Sequence, residues 1–142
     1  MVAGLAVSIF VVLTIVALLH AYWAFGGRWP GHDEPSLARM VVGSKGIITM
    51  PARGPTLAVA VVIFLAGVVA LARADLVPVP LPPMLQSVAV TALAVVFLGR
   101  GIASFTPWFR ASQSEEPFAT LDRRLYGPLC LALGTGFAVL VI

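Results

Sequence analysis

Four apolar runs dominate the pattern of this chain. They lie at about 2–25, 56–74, 83–105 and 121–142, separated by short polar or proline-rich stretches. Each run has roughly the 20 residues that an α-helix needs to cross ~30 Å of hydrocarbon. The first is too long for the hydrophobic part of a signal peptide. It also lacks a basic segment before it and a small-residue cleavage site after it, so it reads as a retained helix. Pro55 and Thr56 form a helix start for the second run, and Pro82 and Pro83 suit the first turn of the third. The pattern predicts one all-α domain over 1–142, an integral membrane bundle of four antiparallel up-down helices.

The polar residues collect in the connections, and they do so unequally. The connection at 26–55 carries Arg28, Arg39, Lys45 and Arg53, and its 37–48 portion is suited to a short helix in the interface. The connection at 75–82 is short and proline-rich, which predicts a stiff, extended link. The connection at 106–120 carries Arg110, Glu115 and Glu116, with Arg100 before it and Asp122, Arg123 and Arg124 after it.

Four crossings put the first and third connections on one side. With nine Lys and Arg and six Asp and Glu in the chain, only Arg73 and Asp75 fall on the other side. The positive-inside rule therefore predicts that the charged side is cytoplasmic and that both termini lie outside. Tyr22, Trp23, Trp29, Trp108 and Tyr126 fit an aromatic belt at the same interface.

Composition supports this reading. The 142 residues are 60% hydrophobic and 11% charged, more apolar surface than a soluble domain of this length can bury. The net charge of +3 sits in loops, which suits topology and contact with anionic lipid headgroups. No basic stripe of the kind that binds nucleic acid is present. One cysteine, Cys130, excludes an intramolecular disulfide framework and a Cys-based zinc cluster.

Candidate chemistry gathers at the helix ends on the charged side. His20, Trp23 and Gly27 share a helical face, and His20 lies near the hydrocarbon boundary, where an ionisable group is a functional candidate. His20 is the candidate general acid or base; its alternative role is a hydrogen bond to another helix. At the start of the fourth run, Thr120 can cap the helix and Asp122 then sits in its positive first turn. Asp122 and Tyr126 are four apart and can meet, while Arg123, Tyr126 and Cys130 form another face. Pro128 cannot bond the carbonyl of Arg124, which marks a break near the interface. Arg100 either reaches the headgroups or turns inward to Asp122 or a ligand phosphate.

Together His20, Tyr22, Trp23, Arg28, Arg100, Asp122, Arg123 and Tyr126 make a candidate site for an anionic headgroup. No metal or cofactor is implied. The consecutive His32, Asp33 and Glu34 lack metal-ligand spacing and read as a solvated loop. The sequence Gly43-Ser44-Lys45-Gly46 lacks the glycine spacing of a phosphate-binding loop. Cys130 reads as packing. Gly127, Gly134 and Ala138 form a small-residue stripe for helix packing within the bundle or in a homodimer.

The stretch HAYWAFGG at 20–27 and the stretch FATLDRRLYGPLCLALG at 118–134 resemble the signature ends of a family of small bacterial membrane proteins, domain of unknown function 3995. The resemblance implies a multi-pass protein of the bacterial inner membrane with four spans in this order, and no assigned activity or cofactor. Three roles stay open. One is a binder of, or small enzyme on, an amphiphile at the inner leaflet. The second is an accessory subunit packed on a larger membrane complex through the glycine stripe. The third is a small oligomeric transporter, ranked last because only Ser8, Thr14, Ser87, Thr91 and Thr135 offer polarity within the spans and no charge lies at mid-membrane.

Overall fold

The computed structural model describes residues 1–142. It is helical throughout, in the order α1 (Val2–Ala24), α2 (Glu34–Val41), α3 (Arg53–Arg73), α4 (Pro83–Ala103), α5 (Pro107–Ser112) and α6 (Phe118–Val141), the last interrupted by a π turn over Asp122–Tyr126. α1, α3, α4 and α6 are each long and apolar enough to span a membrane. Only 25 of the 142 residues are buried, so most of the apolar surface points outward. Val11, Ile15, Leu18, Val62, Leu65, Val95 and Val96 are all at least 48% exposed. Such a surface is stable only against lipid.

Two antiparallel pairs make the bundle. In the first, Phe10 of α1 meets Phe64 of α3 at 5.9 Å between ring centroids, and Phe10 also lies over Gly67. In the second, Gly101 of α4 receives Leu131 of α6, and Gly134 of α6 receives Leu98 of α4. Without a hydrophobic driving force between helices in lipid, such small residues matter because they let backbones approach and dispersion contacts accumulate. The pairs join through a core of Ile9, Leu13, Val90, Phe137 and Leu140, with Phe97 stacked on Phe137. Gly127 and Gly134 of the stripe are thus taken up inside the chain, against Ser104 and Leu98.

Helix ends differ from the expected ones for local reasons. α3 begins at Arg53, so Pro55 falls in the first turn, where its missing N–H would have had no partner. Thr56 is not the start; its hydroxyl donates back to the carbonyl of Ala52. α6 begins at Phe118, and Thr120 is not its cap. Pro117 holds the cap position, and Glu116 before it reaches into the first turn, accepting from the Thr120 N–H at 3.2 Å and the Thr120 hydroxyl at 3.1 Å.

The first connection is ordered. His32, Asp33 and Glu34 are exposed, as expected of a solvated segment, but Asp33 and Glu34 also begin a helix. Asp33 accepts from the Ser36 N–H at 2.8 Å, and the Ser36 hydroxyl accepts from the Asp33 N–H at 3.0 Å. This reciprocal cap places α2 over 34–41, earlier than the expected 37–48. Glu34 then accepts from the Met50 N–H at 3.0 Å.

The Gly43-Ser44-Lys45-Gly46 segment clasps the third connection. The Lys45 N–H donates to Ser112, the Glu115 N–H to Gly43, and the Gly46 N–H to the Glu115 carboxylate. At the other end of the bundle, Arg73 donates to the carbonyl of Val141.

Candidate functional site

Pro128 shapes the polar end of the bundle. It has no N–H to donate, and its ring would crowd the carbonyl of Arg124 in a regular α-helix. α6 absorbs this in the π turn, where the Gly127 N–H reaches back five residues to the carbonyl of Asp122. The wider turn parts residues that 3.6-residue spacing would stack. Asp122 and Tyr126 do not bond one another: Asp122 turns to α4, and the Tyr126 hydroxyl donates to the carbonyl of Met40 in α2 at 3.2 Å. Gly127 lets α6 lie against α4, since a Cβ there would sit 2.8 Å from the Cβ of Ser104.

This approach joins an ion pair inside the bundle. Arg100 turns inward and donates to the Asp122 carboxylate at 2.6 Å and to the Ser104 hydroxyl at 2.7 Å. Its guanidinium lies 4.7 Å from the centre of the Phe109 ring. Asp122 is 3% exposed and Ser104 fully buried. The pair is tolerable at this depth because each charge is matched and further hydrogen-bonded or stacked.

The Arg100 layer separates two cavities. On one side lies an apolar cleft of about 430 Å³ between the helix pairs. Leu13, Val16, Leu19, His20 and Trp23 of α1 form one wall. Leu125, Tyr126, Leu129, Cys130 and Leu133 of α6 form the other, with Ile63, Phe97 and Arg100 behind. Val41 and Phe118 close its polar end, where Phe118 packs on Tyr126 and under Gly43. Gly43 has φ +73°, and a side chain there would collide with the Phe118 ring. On the other side is a polar cavity of about 470 Å³ whose wall includes Ser104, Phe109, Arg110, Gln113, Ser114, Glu116, Asp122 and Arg123.

The eight candidate residues are therefore divided. His20, Trp23, Arg100 and Tyr126 line the apolar cleft. Asp122 and Arg123 line the polar cavity. Tyr22 and Arg28 reach neither. Gly26, at φ +89°, turns the chain away after α1, so Arg28 faces a small recess beside Glu34. Tyr22 packs on Gly27, and its hydroxyl accepts from the Trp29 N–H at 3.4 Å.

Within the cleft, His20 holds its Nδ1 against the carbonyl of Val16 at 2.8 Å. A carbonyl only accepts, so Nδ1 carries the proton and Nε2 is left for another partner. The His20 ring packs on Trp23, whose indole N–H donates to the carbonyl of Trp29 at 2.8 Å. Cys130 is a free thiol in the wall. No three His, Cys, Asp or Glu side chains come together as a metal site.

Several contributors carried no signal in the sequence. Phe109 and Phe118 look like ordinary interface aromatics, and Val41 like any apolar loop residue. Arg110 stood among other loop cations. Ser104 was legible only as a neighbour of Arg100 one helical turn on.

No curated protein and no solved structure matches the chain. One family model does, described as a protein of unknown function, and it covers residues 13–137, which contain the whole of both cavities. The chain belongs to that family, DUF3995.

Proposed function

We propose that the protein binds an amphiphile with a small, hydrogen-bond-accepting or anionic headgroup, held between the two helix pairs. The cleft carries this reading: apolar along its length, with Arg100, His20 and Tyr126 at the polar end. Its volume of about 430 Å³ falls within the ~300–1,000 Å³ usual for small-molecule sites. A cleft of that size and apolar lining takes one hydrocarbon chain with a compact headgroup.

Arg100 has further N–H donors beyond the two given to Asp122 and Ser104, so it can meet a headgroup without losing its counter-ion. α2 and the clasp between the connections lie over the polar end, which favours entry sideways from the bilayer between α1 and α6. The cation bias of this end favours a cytoplasmic orientation in the inner membrane of a bacterium.

The other roles find less support. Gly127 and Gly134 of the stripe are packed against α4, so an accessory subunit would have to dock through another surface. Ser8, Thr91 and Thr135 each donate to a carbonyl of their own helix and lie on the exposed surface rather than along an internal path, which gives a transport role little support.

Native mass spectrometry of the purified protein, with and without added laurate, tests the proposal. Leu129→Trp fills the cleft, and Leu65→Trp adds the same bulk on the lipid-facing surface. A discrete bound mass in the wild type and Leu65→Trp, lost in Leu129→Trp, is the expected result. A protein that retains no mass and takes up no laurate, or equal binding in all three, would overturn it.

A further inference from the structure

The polar cavity lies outside the cleft, and its chemistry is different. We propose that it is a separate binding site for a phosphate group carrying one negative charge, held by Arg110 and Arg123. Both residues line the cavity, and neither has a carboxylate within 4.0 Å, the one ion pair of the chain being Arg100 with Asp122. Arg123 gives its Nε–H to the carbonyl of Ala119 at 3.1 Å, which fixes the stem and leaves both terminal nitrogens for a ligand.

The carboxylates of the wall are already engaged. Asp122 is bound by Arg100, and Glu116 accepts from the N–H and hydroxyl of Thr120. With Asp122 neutralised by Arg100 from the cleft side, the wall itself sets Arg110 and Arg123 against Glu116 alone, one positive charge in excess, the amount a phosphodiester neutralises. Two planar forks suit adjacent phosphate oxygens better than a point charge does.

Neutral donors complete the site. The Gln113 Oε1 accepts from the Ser44 hydroxyl at 3.2 Å, so the amide NH2 of Gln113 is left to donate, and the Ser114 hydroxyl lies in the same wall. The cavity is at the end of the spans, its wall including Pro107 and Phe109 on either side of Trp108, which is 77% exposed, a placement that suits headgroup depth. The ligand is a lipid phosphodiester or free inorganic phosphate, and one experiment separates them.

The protein in neutral detergent is titrated with dihexanoyl phosphatidylglycerol and, separately, with inorganic phosphate. Binding is followed by NMR at the Ser114 amide and the Gln113 side-chain NH2. Arg110→Gln and Arg123→Gln are compared with Arg39→Gln and Arg124→Gln, exposed cations that do not line the cavity. Circular dichroism and gel filtration establish that each variant is folded.

Losing one charged hydrogen-bonding partner should weaken binding by about tenfold in each of the first two variants and little in the controls. That pattern with the lipid alone assigns a headgroup, and with phosphate as well a soluble anion. Equal weakening in all four variants, or no response to either ligand, would overturn the site. Leu129→Trp should leave this binding unchanged, so its outcome is independent of the cleft.

Discussion

Breaking the Arg100–Asp122 pair from its two sides should give unequal costs. Arg100→Met leaves the Asp122 carboxylate, 4% exposed at its side chain, with no cation in a low-dielectric site. Asp122→Asn leaves Arg100, whose side chain is 34% exposed, still bonded to Ser104 and stacked on Phe109. Breaking a fully buried pair costs ~3–5 kcal/mol. The lower end applies to Arg100→Met, about 3 kcal/mol, because the charge left behind is nearly sealed from water. Asp122→Asn should cost about 1–2 kcal/mol, since the amide still accepts a hydrogen bond and the arginine can reach the interface.

The double variant removes both charges and should cost about as much as Asp122→Asn alone, a coupling of about 3 kcal/mol. Unfolding in mixed micelles at increasing SDS measures all four proteins of the cycle. Additive single effects, or Asp122→Asn costing more than Arg100→Met, would refute the reasoning.

Two further outcomes follow from packing and capping. Gly134→Ala places a Cβ 2.7 Å from the backbone N of Leu98 and should cost ~1–3 kcal/mol, whereas Gly99→Ala meets nothing within 4 Å and should be neutral or better in the same SDS assay. The Ser36 N–H, and then the Ser36 hydroxyl, hold the Asp33 carboxyl below its ordinary 3.8. Its folded value is below its unfolded one, so the cap is in full effect above about 3.8 and is lost as pH falls through the folded value. Hydrogen-exchange protection of the Leu37 and Ala38 amides, corrected for intrinsic rates, should drop at pH 2.5 relative to pH 5 while that of Val90 holds; an unchanged α2 would contradict the capping role.

The spans were legible because an uninterrupted apolar run of this length has few other solutions in water or lipid. Their ends were less so. Pro55 and Thr120 carry start signals that other residues override, Ala52 by backbone position and Glu116 by reaching into the first turn of α6. The candidate residues were legible as a set at one end of the bundle, but their partition into two cavities was not. That partition depends on a π turn, which shifts Asp122 away from Tyr126, and on the positive φ of Gly26, which carries off Arg28. Pro128 announced a break without its form. The clasp of 43–46 on 112–115 joins segments far apart in the chain, half of it by backbone hydrogen bonds and half through the Glu115, Ser44 and Gln113 side chains, and no local pattern pairs such distant residues.

The cleft as an amphiphile site is tested most directly by NMR of methyl-labelled protein in nanodiscs of deuterated lipid, with protonated laurate added. The account predicts nuclear Overhauser contacts from the laurate chain to the methyls of Ile63 and Leu129, inside the cleft, exceeding those to Val62 and Leu65 on the lipid-facing surface. Contacts confined to Val62 and Leu65, or spread evenly over all four, would contradict it.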